Sequence, residues 1–167
     1  MPLNLLKKYN TLLDILGMDE RQRTISLCGV FDRDITKNPN FKFQKKQINP
    51  TPADGVDNMD RLFIHLTTKI IGNERKREYD YARSVRLHWI RFHIEERKSD
   101  NILVFSVNEP DGIRTYIYDK DEEYVIVLEP LRKKNEYYLL TAYYVEGKDK
   151  ARNKMKKKYG RKLSNVL

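Results

Sequence analysis

The stretch ILVFSVNEPDGIRTYIYDKDEEYVIVLEPLRKKNEYYLLTAYYV, residues 102–145, decides the fold. It holds four runs rich in β-branched and aromatic residues, the types that suit a half-buried pleated surface. They are Ile102 to Val107, Ile113 to Tyr118, Tyr124 to Leu128 and Glu136 to Val145. Between them stand Asn108-Glu109-Pro110-Asp111-Gly112, Asp119 to Glu122, and Pro130 to Asn135, short turn-forming segments suited to successive hairpins. Alternation puts Arg114, Tyr116 and Tyr118 on one face of the second run. In the fourth it puts Tyr137, Leu139, Thr141, Tyr143 and Val145 on one face, and Tyr138, Leu140, Ala142 and Tyr144 on the other.

Ahead of residue 102 the apolar spacing is helical. Leu5, Leu6, Tyr9, Leu12, Leu13 and Leu16 predict a first helix that Gly17 stops. Ile25, Leu27, Val30, Phe31 and Ile35 predict a second over 19–36. A long irregular connection follows, in which Phe41 and Phe43 alternate with lysines as a short edge strand. A third helix is expected over 57–71, then a charged linker over 73–81, then a fourth helix over 81–97. Helices first and strands afterwards predict an α+β chain: N-terminal helices, a four-stranded antiparallel meander and a basic C-terminal helix. Residues 1–56 read as a helical extension and 57–167 as the main domain.

Composition narrows the function classes. The single cysteine, Cys28, excludes an internal disulfide and a multi-cysteine zinc site, and the three histidines lie on different segments, so no metal is expected. There is no glycine-rich phosphate loop, paired-histidine metalloprotease motif or nucleophile elbow, so no cofactor is expected either. No apolar run is long enough to cross a bilayer and no secretory leader pattern is present, which predicts a cytoplasmic protein without a membrane partner. The net charge of +9 is uneven. From Val145 to Leu167 there are nine Lys or Arg against Glu146 and Asp149, leaving only +2 for everything before. A cationic segment directly after a strand can grip phosphates beside a sheet, and Lys148, Lys154 and Lys158 are its candidates.

Histidine is the side chain that exchanges a proton near neutrality without tuning. Ser84, His88, Arg91 and Glu95 fall at helical steps of four, three and four, a stripe that either is solvated or faces a cleft. His65 carries Arg61 one turn before it and Thr68 and Lys69 one turn after, opposite the Leu62, Phe63 and Leu66 face. Tyrosines with Arg114 on the sheet are good strand formers, and equally the surface on which RNA bases stack.

Three pieces together carry a resemblance: Arg83-Ser84-Val85-Arg86-Leu87-His88-Trp89-Ile90-Arg91, then Arg114-Thr115-Tyr116-Ile117-Tyr118, then Tyr137-Tyr138-Leu139-Leu140-Thr141-Ala142-Tyr143-Tyr144. The stretch from about His65 to Lys158 resembles the phage-associated members of the Barnase–EndoU–colicin–RelE-like nuclease family. The resemblance implies a metal-independent ribonuclease, toxin-like or encoded by a mobile element. In such folds a ribose 2′-hydroxyl attacks the adjacent phosphate. Carried over by position, Arg114 is a phosphate clamp, and Thr141 and Tyr143 lie on the family's last strand. The family's helical histidine matches His65 or His88, with Arg91 and Arg114 stabilising charge. Arg83, Tyr116 and the tail lysines would hold RNA, tRNA among the candidates, and an acidic inhibitor protein is the implied partner. The alternative is a silent RNA-binding or partner-binding phage protein of the same fold.

Overall fold

The computed structural model describes residues 3–6, 11–54, 56–74 and 76–167. In chain order its helices are a 3₁₀ turn (Leu3–Leu6), α1 (Glu20–Phe31, continued by a π turn over Asp32–Thr36), α2 (Met59–Thr67), α3 (Tyr81–Ser84), α4 (Trp89–Ile94), α5 (Gly147–Ala151) and α6 (Lys154–Gly160). The strands are β1 (Lys42–Phe43), β2 (Lys46–Pro50), β3 (Pro52–Ala53), β4 (Val56–Asp57), β5 (Thr68–Ile71), β6 (Lys76–Tyr79), β7 (Ile102–Glu109), β8 (Gly112–Asp119), β9 (Tyr124–Leu131) and β10 (Glu136–Tyr144).

The architecture is mixed α and β, but it is not the four-stranded meander behind N-terminal helices that the sequence predicts. Among the described residues six strands form the main sheet, in the order β1-β2-β10-β9-β8-β7, and β3–β4 and β5–β6 are separate two-stranded ribbons. The meander β7–β10 is antiparallel, yet β2 joins it in parallel, with Tyr137 opposite Ile48 and Leu139 opposite Pro50. The reason is the bare edge of β10, whose unpaired amides and carbonyls need a partner. Phe41, Phe43 and Ile48 supply the buried side chains that hold this partner in place. Residues on both sides of position 56 therefore share one sheet and one core.

Local differences have local causes. Of the expected first helix, the described residues form the 3₁₀ turn and an irregular segment from Thr11 to Leu16, and residues 7–10, Tyr9 among them, lie outside the described residues. Helix α2 ends at Thr67 because the hydroxyls of Thr67 and Thr68 bond back to the Phe63 and Ile64 carbonyls, and β-branched Ile70 and Ile71 continue as strand. The expected linker over 73–81 contains β6, paired with β5 from Thr68–Tyr79 to Ile71–Lys76. The fourth helix is broken between Ser84 and Trp89, where Arg86, Leu87, Trp89 and Ile90 donate to carbonyls three residues back. That tighter winding turns about 3.0 residues per turn instead of 3.6, so steps of four no longer share a face.

The core lies on both sides of the sheet. On one face α1, α2, α3 and α4 pack over Ile117, Tyr124, Ile126, Leu128, Tyr137, Leu139 and Ala142. On the other, α6 lays Met155 and Tyr159 over Phe105, Val107, Tyr116, Val125 and Val127. A β-bulge between Leu139 and Thr141 shifts the register of β10 against β9. Tyr137 and Leu139 consequently share a cluster with Ala142, while Leu140, Tyr143 and Val145 belong to the other face. Simple alternation along β10 fails there because a bulge inserts one residue into the pleat.

Candidate functional site

The bulge sits at the mouth of a concavity of about 310 Å³. Its walls are Arg61, Leu62 and His65 from α2, Thr51 after β2, and Leu139, Leu140 and Thr141 from β10. Asn58 starts α2 by accepting the Arg61 amide at 2.9 Å, and Leu62 and Leu66 bury the helix against the core, so His65 and Arg61 are left at the surface edge. Arg83 bonds to two of these wall residues, His65 and Thr141. Its Nη1 donates to the His65 carbonyl at 3.0 Å, the Thr68 carbonyl at 3.1 Å and the Thr141 hydroxyl at 3.2 Å. Its Nε faces Asp80 at 3.3 Å, and the guanidinium lies over the Tyr143 ring at 5.4 Å. One side chain thus satisfies orphan carbonyls at the C-terminus of α2 and ties that helix to β10.

The electrostatics are cationic. Arg77, brought in by the β5–β6 ribbon, donates to the Thr68 hydroxyl at 2.9 Å and the Thr68 carbonyl at 3.1 Å, so two guanidiniums converge on one residue. Among the described residues Arg61 and Arg77 make no ion pair, whereas Arg83 has Asp80. Burial holds the His65 imidazole below its ordinary 6.5, and the charges of Arg77, Arg61 and Arg83 push the same way. His65 is therefore a neutral base at pH 7 surrounded by positive charge. Burial drives the Tyr143 phenol up to about 12, with Asp149 adding to the shift, so it remains a proton donor.

The other expected site residues lie elsewhere. His88 is buried beside Trp89. Arg91 is paired with Glu95 at 2.7 Å and with Asp34 at 3.7 Å. Arg114 pairs with Glu129 at 2.9 Å across β8 and β9. Tyr116 is buried beneath α6 and donates to Glu109 at 2.9 Å, and Lys158 binds the same carboxylate. Lys148 is exposed, and Lys154 faces Asp149 at 3.4 Å. The structure brings together His65, Thr141, Arg83 and Tyr143, and not His88, Arg91, Arg114 or Tyr116. Arg77 was missed. Its signal was Ile70-Ile71-Gly72-Asn73 followed by Lys76-Arg77-Glu78-Tyr79, a hairpin pattern around a Gly-Asn turn. No group of three metal-ligating side chains converges among the described residues.

No family model, curated protein or solved structure matches this chain.

Proposed function

We propose that this protein cleaves RNA, using His65 as the base in a pocket built for a phosphodiester. The observation that carries the reading is the meeting of His65, Arg61 and Thr141 in one concavity, with Arg77 and Arg83 adding charge behind it. In this reading a neutral His65 takes the proton from a ribose 2′-hydroxyl. The 2′-oxygen bonds to phosphorus, the bond from phosphorus to the 5′-oxygen breaks, and that oxygen takes a proton from solvent. The products are a 2′,3′-cyclic phosphate and a 5′-hydroxyl. Arg61 opposes the charge that gathers on the phosphate oxygens, Arg77 adds its field from the β5–β6 ribbon while bonded to Thr68, and the Thr141 hydroxyl donates to one phosphate oxygen. Arg83 is a positioning residue, since its guanidinium is already spent on protein oxygens.

The test is cleavage of labelled tRNA and single-stranded RNA in excess chelator. Wild type is expected to yield cyclic ends, and His65→Ala to lose about 10²- to 10⁴-fold in rate, the range for a general base. Full activity in His65→Ala would end the proposal. A second reading, an RNA-binding module without cleavage, draws on the lining of the pocket, which offers one histidine, His65, and no carboxylate to serve as its partner acid. Salt-sensitive RNA binding with no cyclic product, in a folded protein, would select it.

A further inference from the structure

On the opposite face of the sheet, the elbow between α5 and α6 roofs a second groove of about 510 Å³. That volume is in the range of pockets that hold small organic ligands. Its floor is apolar, made by Leu103, Val145 and Met155, and Tyr118 and Tyr159 line it with half-exposed rings. The Tyr159 ring stands nearly perpendicular to Phe105, with centroids 5.2 Å apart, and the Lys162 ammonium lies 4.3 Å from its centroid. Asn153 lines the groove from the elbow itself, in the left-handed conformation at φ 51°. A side-chain amide there offers both a donor and an acceptor.

Four lysines stand round this floor, and they are not equivalent. Lys150 is held by Glu123 at 3.0 Å and Lys154 by Asp149 at 3.4 Å. Lys120 and Lys156 are exposed and make no ion pair among the described residues. An apolar floor, tyrosine rings, an amide and two uncommitted ammonium groups form a consistent set. Rings stack on a planar aromatic ligand, the amide reads a polar edge, and ammonium groups take a phosphate. An acyl chain would use the floor and leave the amide and the ring faces idle.

We infer that this groove is a nucleotide site, taking a nucleobase against Tyr118 and Tyr159 and its phosphate at Lys120 and Lys156. The nucleotide is either free or splayed out from an RNA strand, and the site stands whether or not the His65 pocket cleaves RNA. The experiment titrates the intact protein with nucleoside 5′-monophosphates, the matching nucleosides, inorganic phosphate, decanoate and a single-stranded RNA hexamer. Calorimetry gives affinity, and the Met155 methyl and Asn153 amide resonances report location. A monophosphate is expected to move both resonances and to bind at least about tenfold more tightly than its nucleoside or phosphate alone. The double variant Lys120→Glu, Lys156→Glu should weaken that binding by about tenfold or more, with an unchanged melting curve because both side chains are solvent-facing. Binding should survive in His65→Ala, which separates this site from the other pocket. If only the hexamer moves these resonances, and the double variant weakens it, the site serves an RNA strand. Decanoate binding without nucleotide binding, or nucleotide binding indifferent to the double variant, overturns the inference.

Discussion

At the scale of the residue, His65 is the sensor of its own surroundings. Its imidazole is pushed below 6.5 by burial and then by Arg77, Arg61 and Arg83. Removing one of those charges must let the proton back on. In Arg77→Ala the His65 ring should titrate closer to 6.5, followed through its ring proton resonances, and an unmoved titration would show that Arg77 exerts no field there. The sign for catalysis is fixed by the same shift. A base must be neutral, so the cleavage rate should fall as pH drops through the depressed His65 value and be level well above it. A rate that still climbs above pH 7 would assign proton removal to another group. Stability runs in the same direction. The unfolded chain protonates His65 more readily than the folded one, so this residue's share of stability is whole above 6.5. It is lost as pH falls through the folded value.

Among the elements, the strands of the meander were legible because each carries its own alternation, and Gly112 marks the first turn at φ 121°. The pairing of β2 with β10 was not, since it joins residues nearly ninety positions apart and depends on which edge lies bare. The bulge was equally hidden. Nothing in Leu139-Leu140-Thr141 announces an extra residue, and the register shift appears only against β9. His65, Thr141 and Arg83 could all be named from the sequence, but not the link between them, because Arg83 reaches across fifty-eight positions to Thr141. That link is also the mechanical weak point of the site. Arg83→Met keeps the hydrophobic stem and removes the guanidinium, taking the Arg83 donor from the His65 carbonyl and the cation from Asp80, while Arg77 still serves the Thr68 carbonyl. A loss of about 2–3 kcal/mol in unfolding free energy is expected, the cost of stranding polar groups that a charged donor had satisfied. Chemical denaturation measures it. An unchanged midpoint would mean that solvent replaces Arg83 at no cost and that α2 needs no tie to β10.

Across the whole molecule, positive charge is divided between two faces of the sheet. Arg61 and Arg77 stand beside the pocket on the helical side, where α2 packs through Leu62 and Leu66. Arg152, Lys157 and Arg161 line an open depression on α5 and α6, which cover the opposite face through Met155 and Tyr159. This cover explains why Tyr116 is no stacking platform, and the chain stitches it down. Leu163 donates its amide to the Ser106 carbonyl at 2.7 Å, and the Leu167 carbonyl accepts from Thr115 at 2.9 Å and Tyr137 at 2.7 Å. A sheet with a helix layer packed on it separates the two cationic regions by on the order of 10 Å or more. A dinucleotide in the His65 pocket cannot also reach α6, whereas a folded tRNA can wrap the edge between them. The variant Arg152→Gln, Lys157→Gln should therefore leave dinucleotide cleavage unchanged and weaken tRNA binding, with a shallower dependence on salt. Each phosphate that the variant no longer neutralises should lower the slope of log K against log salt by about 0.7 to 0.9. Equal weakening on both substrates would place the C-terminal helices at the reaction itself. No change on either would leave their charge to solvent and confine RNA to the pocket at the bulge.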